Sequence, residues 1–322
     1  MELRQLEHFV AVAEELHFGR AALRRHVAQP ALSRAVRALE EELGARLLER
    51  TSRSVALTAE GRWMLERARE LLGAAESAAA TVRRMARGEC GALRVLFTGP
   101  ASQTRLPGLV RSFHERWPEV ALELVEMPTP MQLGTLARGG ETQVGVIRGC
   151  IGALSPEAAA GRAPGAGAAP AGESGAGGLA WRIFEREPYV LAVPLGHPLA
   201  AEAAVPLPAL EGEPFIAFPR RAYPELHARM ERAFAEAGVR PRTVQETSSK
   251  VSALGLVAAG LGVTLVPESM RRLAREGVAY VSLASPNPLP EVAYQLVWRA
   301  GEGGALLERF VAHVCGDAVT GE

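Results

Sequence analysis

The stretch QPALSRAVRALE sets Gln29, Ser33 and Arg37 at i, i+4 and i+8, with Arg34 alongside, so a helix here would carry one row of hydrogen-bonding and cationic groups. An arginine fork donates twice to a guanine edge, and a glutamine amide pairs with adenine. A serine hydroxyl or the open amides of a helix start hold phosphate. No carboxylate occurs between Phe18 and Leu39, and Arg20, Arg24, Arg25 and His26 add positive charge just upstream. An acid on that face would repel a phosphate backbone. The acids Glu40, Glu41 and Glu42 begin only past Leu39, so charge is segregated locally. The alternative is a solvated basic face with no partner.

The elements that must position this row follow from periodicity. Leu6, Phe9, Val10 and Ala13 recur at helical spacing over residues 3 to 15, with Glu7 and Glu14 on the other side. A second short helix opens near Gly19, with Leu23 and Val27 inward, and Pro30 suits the first turn of a third, whose apolar stripe is Leu32, Val36, Leu39 and Leu43. LLERTSRSVALT reads as a hairpin or wing turning at Ser52 and Arg53. Thr58 then caps a helix running from Ala59 to Ala86, roughly 40 Å long. Within it Leu65, Ala68, Leu72, Ala75, Ala79 and Val82 form an alanine-rich heptad seam, which predicts pairing with a second copy. The alternative is packing on the chain's own C-terminal half.

Beyond Gly88 to Gly91 the texture changes to alternating strands and helices, which predicts parallel α/β units in two lobes around a cleft. The small-residue stretch from Ser155 to Gly178 interrupts them and reads as a mobile surface insertion. The expected domains are residues 1–58, a linker helix over 59–88 and an effector-binding region over 89–322. Its first lobe takes about 91–154 and 268–322, and its second about 179–267.

The 322 residues are 48% hydrophobic with zero formal net charge, which suits a soluble protein with proper cores and confines any polyanion binding to a local patch. Cys90, Cys150 and Cys315 are few and odd in number, giving neither a disulfide framework nor a metal knuckle. The N-terminus lacks the organisation of a signal peptide and no run spans a bilayer, so a cytoplasmic location is expected. The histidines offer no HxxxH pair, and no GxSxG elbow or Walker loop occurs; TSSK at Thr247 to Lys250 lacks the leading serine of a Ser-x-x-Lys nucleophile. No enzymatic activity and no cofactor are expected.

The stretch LRQLEHFVAVAEELHFGRAALRRHVAQPALSRAVRALEEELGARLLERTSRSVALTAEG closely resembles the N-terminal module of LysR-type transcriptional regulators, and GVIRG, LAVPLGHPLA, FIAFPR and LGLVAAGLGVTLVP continue the likeness more weakly. The resemblance implies an α/β protein with an N-terminal all-α winged helix-turn-helix, a long linker helix and a two-lobed effector domain like periplasmic binding proteins. It further implies homodimers assembling to homotetramers, promoter DNA and a small-molecule effector as partners, and RNA polymerase as a further candidate partner. By matching position, Gln29, Pro30, Ser33, Arg34, Arg37 and Arg50 would serve the DNA face, and Arg53 would reach a minor groove from the wing tip. Family members often have Ser where Ala28 stands; a lost cap weakens the site by about 1 kcal/mol. Likeness to the branch that senses aromatic-degradation intermediates places Ser102, Thr129, Phe218 and Pro219 at the cleft, for a carboxylate-bearing, aromatic or dicarboxylic effector. Ser248 and Lys250 begin a helix whose amides attract anions, although a plain exposed lysine is the simpler reading. A two-lobed solute-binding protein without DNA function is the rival, and it leaves the N-terminal module unexplained.

Overall fold

The computed structural model describes residues 1–50, 54–148, 172–175, 178–221, 224–289 and 291–316. The chain divides into two compact units, Met1–Arg84 and Met85–Glu322.

In the first unit, helix α1 (Leu3–Glu15) opens with a reciprocal cap between Glu2 and Gln5. Helix α2 (Phe18–Arg24) is capped by the His17 ring, whose Nδ1 accepts from the amides of Gly19 and Arg20 at 3.0 and 3.2 Å. Helix α3 (Gln29–Leu43) has Pro30 in its first turn and ends at Gly44, whose φ of 64° a side chain would resist. Leu6, Phe9, Val12, Leu32, Val36 and Leu39 form the core between them. Each such side chain contributes about 1.5–3 kcal/mol by leaving water. Two expected members stay outside: Leu23 is 77% exposed and Leu43 lies at the surface. The short α2 buries its small residues Ala21 and Ala22, which lets α1 approach and turns Leu23 outward.

Strands β1 (Leu48–Arg50) and β2 (Val55–Leu57) pair antiparallel as the expected hairpin. Helix α4 (Ala59–Ala86) starts where predicted, with Thr58 Oγ1 accepting from the Gly61 amide at 2.8 Å. A Cβ at Gly61 would lie 2.0 Å from the Leu47 carbonyl oxygen, so only glycine lets α4 come this close to the hairpin. That approach corrects the heptad seam. Ala68 is fully buried in the unit's own core, and Leu65 and Leu72 pack against it, so the first half of the seam is already covered. The apolar residues left exposed on α4 are Trp63, Leu71, Val82 and Met85. Val82 is the exposed end of the seam itself, while Trp63, Leu71 and Met85 lie roughly a quarter turn away from it, on a stripe that Ala74 and Ala78 complete and Val82 borders.

In the second unit, strands β3 (Gly91–Phe97), β4 (Val120–Glu126), β5 (Gln143–Arg148), β6 (Gly172–Gly175), β7 (Leu179–Glu187) and β14 (Val292–Arg299) form one sheet in the order β4-β3-β5-β14-β7-β6. The β3 pairings are parallel and the β14 pairings antiparallel. Helices α5 (Leu106–Arg116) and α9 (Gly304–Cys315) cover one face through Phe113, Trp117 and Phe310, whose rings meet at 4.6–5.1 Å. Helix α6 (Thr129–Arg138) covers the other face through Leu136. A second sheet has the order β12-β8-β13-β9, from β8 (Tyr189–Pro194), β9 (Ala204–Val205), β12 (Thr264–Pro267) and β13 (Val278–Leu283). A parallel pair, β10 (Pro214–Ala217) and β11 (Arg242–Glu246), lies with helices α7 (Pro224–Glu236) and α8 (Lys250–Ala258) in the same half.

The lobe limits therefore differ from those expected. Strand β7 belongs to the first sheet and β13 to the second, because the chain changes sheets at Pro188, a single residue between β7 and β8, and returns between β13 and β14. Periodicity carries no mark of such a crossing. Most of the stretch read as a mobile insertion lies outside the described residues, but Gly172–Gly175 is an edge strand paired antiparallel with β7.

Candidate nucleic-acid interface and effector cleft

On α3 the buried stripe fixes what faces outward. Gln29, Pro30, Arg34 and Arg37 are exposed and Ser33 is half-buried, so the predicted row stands on one surface. Ala28 sits at the helix start with extended backbone and gives no side-chain cap, and no acid occupies the first turn. The leading amides thus face outward beside positive charge, an arrangement that attracts phosphate.

The surrounding arginines behave differently from the expectation. Arg20 Nε meets Glu15 at 3.1 Å, Arg24 meets Glu14 at 2.8 Å and Arg25 pairs with Glu7. These α1 acids neutralise α2, so α2 adds little field to the row. Glu14 is also held by Arg69 at 2.6 Å; that hydrogen bond first, and Arg24 after it, keep its carboxyl below the usual range. Arg34 and Arg37 have no ion pair among the described residues, which leaves them as the usable cations. Arg50 is a correction: its guanidinium binds Glu40 Oε2 at 2.6 Å and lies over the Phe18 ring at 4.9 Å. Glu40 Oε1 accepts from the Leu47 and Leu48 amides at 3.0 and 3.1 Å, so Glu40 and Arg50 brace the hairpin against α3. Arg53 lies outside the described residues.

In the second unit the candidate cleft residues follow the carboxyl ends of parallel strands. After β3 comes the turn Gly99–Gln103 with Ser102, after β4 comes Thr129, and β5 ends on Arg148. Strand β3 lies between β4 and β5, which is the reversal of strand order where α/β sheets bind ligands. After β10 come Phe218 and Pro219, and after β11 come Ser248 and Lys250.

Lys250 is not the exposed lysine of the simpler reading. It is 6% exposed, and its Nζ stands 4.5 Å from the centroid of the buried Phe218 ring. Burial first, and the charge of Arg148 second, push its ammonium pKa well below the usual range. Arg148 Nη1 is itself buried without a hydrogen-bond partner among the described residues. Two cations thus share one desolvated corner, walled by Phe218 and by Tyr189, whose hydroxyl burial pushes up. Burying like charges is costly unless an anion joins them. Ser102 is less available than expected, since its hydroxyl donates to the Gly99 carbonyl at 2.6 Å and accepts from Gln103 Nε2 at 3.1 Å. Thr129 is half-buried at the start of α6, Pro219 is buried and Ser248 is exposed. Phe218 and Lys250 are in contact; no hydrogen bond joins Ser102 or Thr129 to them among the described residues.

Arg148 escaped the sequence reading, although a charged residue closing the apolar run QVGVI was a legible signal. Glu187 escaped too. At the end of β7 it accepts from the Ser269 amide at 2.5 Å and the Ser269 hydroxyl at 2.9 Å, and burial pushes its carboxyl pKa up.

Compared with known proteins, residues 3–62 match the family described as "Bacterial regulatory helix-turn-helix protein, lysR family", and residues 86–159 and 171–316 match "LysR substrate binding domain". The chain is 38% identical over 317 residues to the transcriptional regulator IlvR of Caulobacter vibrioides, covering 98% of both chains. It is 37% identical to AlsR of Bacillus subtilis, over 87% of this chain and 85% of that one. Among solved structures, the regulator CbnR shares 30% identity with a TM-score of 0.78, covering 98% of this chain and all of the other. CbnR bound to its target DNA scores 0.77 at the same identity, covering 98% of each chain.

Proposed function

The chain belongs to the LysR family of transcriptional regulators, and from that premise we propose that a small carboxylate metabolite, seated on Arg148 and Lys250, sets how paired α3 helices hold promoter DNA. The shared desolvated corner of these two cations carries the reading. An anion there relieves their repulsion, and the Phe218 and Tyr189 rings suit an aromatic or unsaturated body. Thr129 and the amides of the Ser102 turn complete the ring of donors.

On DNA, Arg34 and Gln29 read base edges, while Ser33, Arg37 and the open α3 amides hold phosphate. Two copies pair along the exposed α4 stripe of Leu71, Ala74, Ala78, Val82 and Met85, where alanines let helices approach closely. Pairs of dimers form the tetramer. The effector acts only through its preference for one arrangement of the two lobes over the other.

A thermal-shift screen of small aromatic and dicarboxylic acids, followed by promoter-fragment binding with and without each stabilising acid, tests the proposal. The expected result is an acid that raises the midpoint and changes the footprint. If every stabilising acid leaves footprint length and DNA bending unchanged at saturation, the coupling is refuted.

A further inference from the structure

A second cavity, of about 620 Å³, lies between α7 and the β10–β11 pair, behind the effector cleft. Its walls include Phe215, Phe218, Met230, Phe234 and Val239, with Phe215 and Phe234 meeting edge to face at 5.6 Å. That size and lining are those of small-molecule sites, which bury an apolar body and orient it with a few polar groups. Three charged or titratable side chains line the rim: His227, Glu231 and Arg240. Glu231 turns to His227 Nδ1 at 3.2 Å, whereas the Arg240 guanidinium has no ion pair among the described residues. Arg240 is therefore a cation at the mouth that an anionic head group can meet.

One wall is shared. The Phe218 ring lines this cavity and also carries Lys250 Nζ at 4.5 Å from its centroid. A ring cannot move for one neighbour without moving for the other in a close-packed interior.

We propose that the cavity under α7 is a second ligand site for a small amphipathic carboxylate, with its apolar body against Phe215, Phe234 and Phe218 and its head on Arg240, and that occupancy is transmitted through Phe218 to Lys250. This stands apart from the effector reading, because it concerns a different cavity and needs no cleft ligand.

The single lysine of the chain makes the test direct, since amine labelling resolved by peptide mass separates Lys250 from the N-terminus. Full-length protein is titrated with the fluorescent probe anilinonaphthalene sulfonate, with decanoate as competitor. One displaceable site per chain is expected. Arg240→Glu removes the head contact and Ala235→Trp fills the mouth from an exposed position, and each is expected to weaken probe binding about ten-fold or more. Saturating decanoate is expected to change the labelling rate of Lys250 in the parent chain but not in Arg240→Glu. Unaltered promoter binding by both cavity variants serves as the folding control. Probe affinity unchanged in both cavity variants overturns the site. A Lys250 labelling rate insensitive to decanoate overturns the transmission. Failure of the effector reading would instead leave every one of these results standing.

Discussion

Replacing Lys250 with methionine probes the cleft from the free protein's side. The lysine is 6% exposed, and removing an ammonium of this kind from water carries an effective penalty of several kcal/mol, to which the like charge of Arg148 adds. One opposing gain is the cation–π contact with Phe218, about 2 kcal/mol when desolvated. Methionine keeps the volume and drops the charge, so the variant is expected to be more stable than the parent by about 1–2 kcal/mol in the absence of effector. For a unit of this size that raises the thermal midpoint by roughly 2–8 °C. The pH dependence has a definite sign. A base whose folded pKa is depressed binds fewer protons folded than unfolded, so parent stability falls as pH drops from the ordinary 10.5 through the folded value. The advantage of the variant is therefore largest below that window and shrinks as pH climbs towards 10.5. Binding of a cleft carboxylate should weaken by about 2–5 kcal/mol, the usual loss on truncating one partner of a buried charge pair. Calorimetric or fluorescence-monitored unfolding across acidic, neutral and alkaline buffers checks this. A variant less stable than the parent at every pH would show that the folded chain already compensates the ammonium, and the anion-site argument would fall.

Other perturbations address the remaining sites. Arg34→Ala should lose discrimination at one or two base pairs, by about 1–3 kcal/mol, when affinity is measured over a set of operator variants. Arg50→Ala should instead lower the thermal midpoint with an even loss across those operators, and base-selective loss would contradict its bracing role. Leu71→Glu and Val82→Glu should each dissociate the paired chains in sedimentation experiments; intact dimers in both would place the contact on another face of α4. Glu187→Gln tests the raised carboxyl. A folded pKa above the ordinary 4.5 gives stability that is complete below 4.5 and is lost as pH rises through the folded value. The parent should therefore weaken relative to Gln with rising pH in urea unfolding, and a gap constant in pH would rule this out.

What the sequence disclosed is what local physics governs. The α3 row, the Thr58 cap, the hairpin and the extent of α4 depend on residues within a few positions of one another, and all appear in the structure. Which arginines remain usable was hidden, because Arg20, Arg24 and Arg25 are answered by acids on α1, and Arg50 by Glu40 on α3. Helical spacing identified an apolar stripe on α4 but could not tell that Gly61 brings part of it against the hairpin. The assignment of β7 and β13 was missed for a related reason: neighbours in a sheet are chosen by chain path. At the cleft, residue type was a poor guide to burial. Lys250 looked like surface and is interior, while Ser102 looked like a ligand donor and spends its proton on its own turn.

Pro188 deserves a mechanical reading. A joint of one residue leaves the ends of β7 and β8 only about 7 Å apart, whatever the rest of the unit does. The Glu268 amide donates to the Pro188 carbonyl at 3.0 Å, and Ser269 grips Glu187 beside it, so the pivot is clamped on one side. The two sheets can swivel about such a pin but cannot slide past each other. A metabolite that draws Arg148 and Lys250 together would thus be converted into an angle, and an angle is what a rigid arm amplifies with distance.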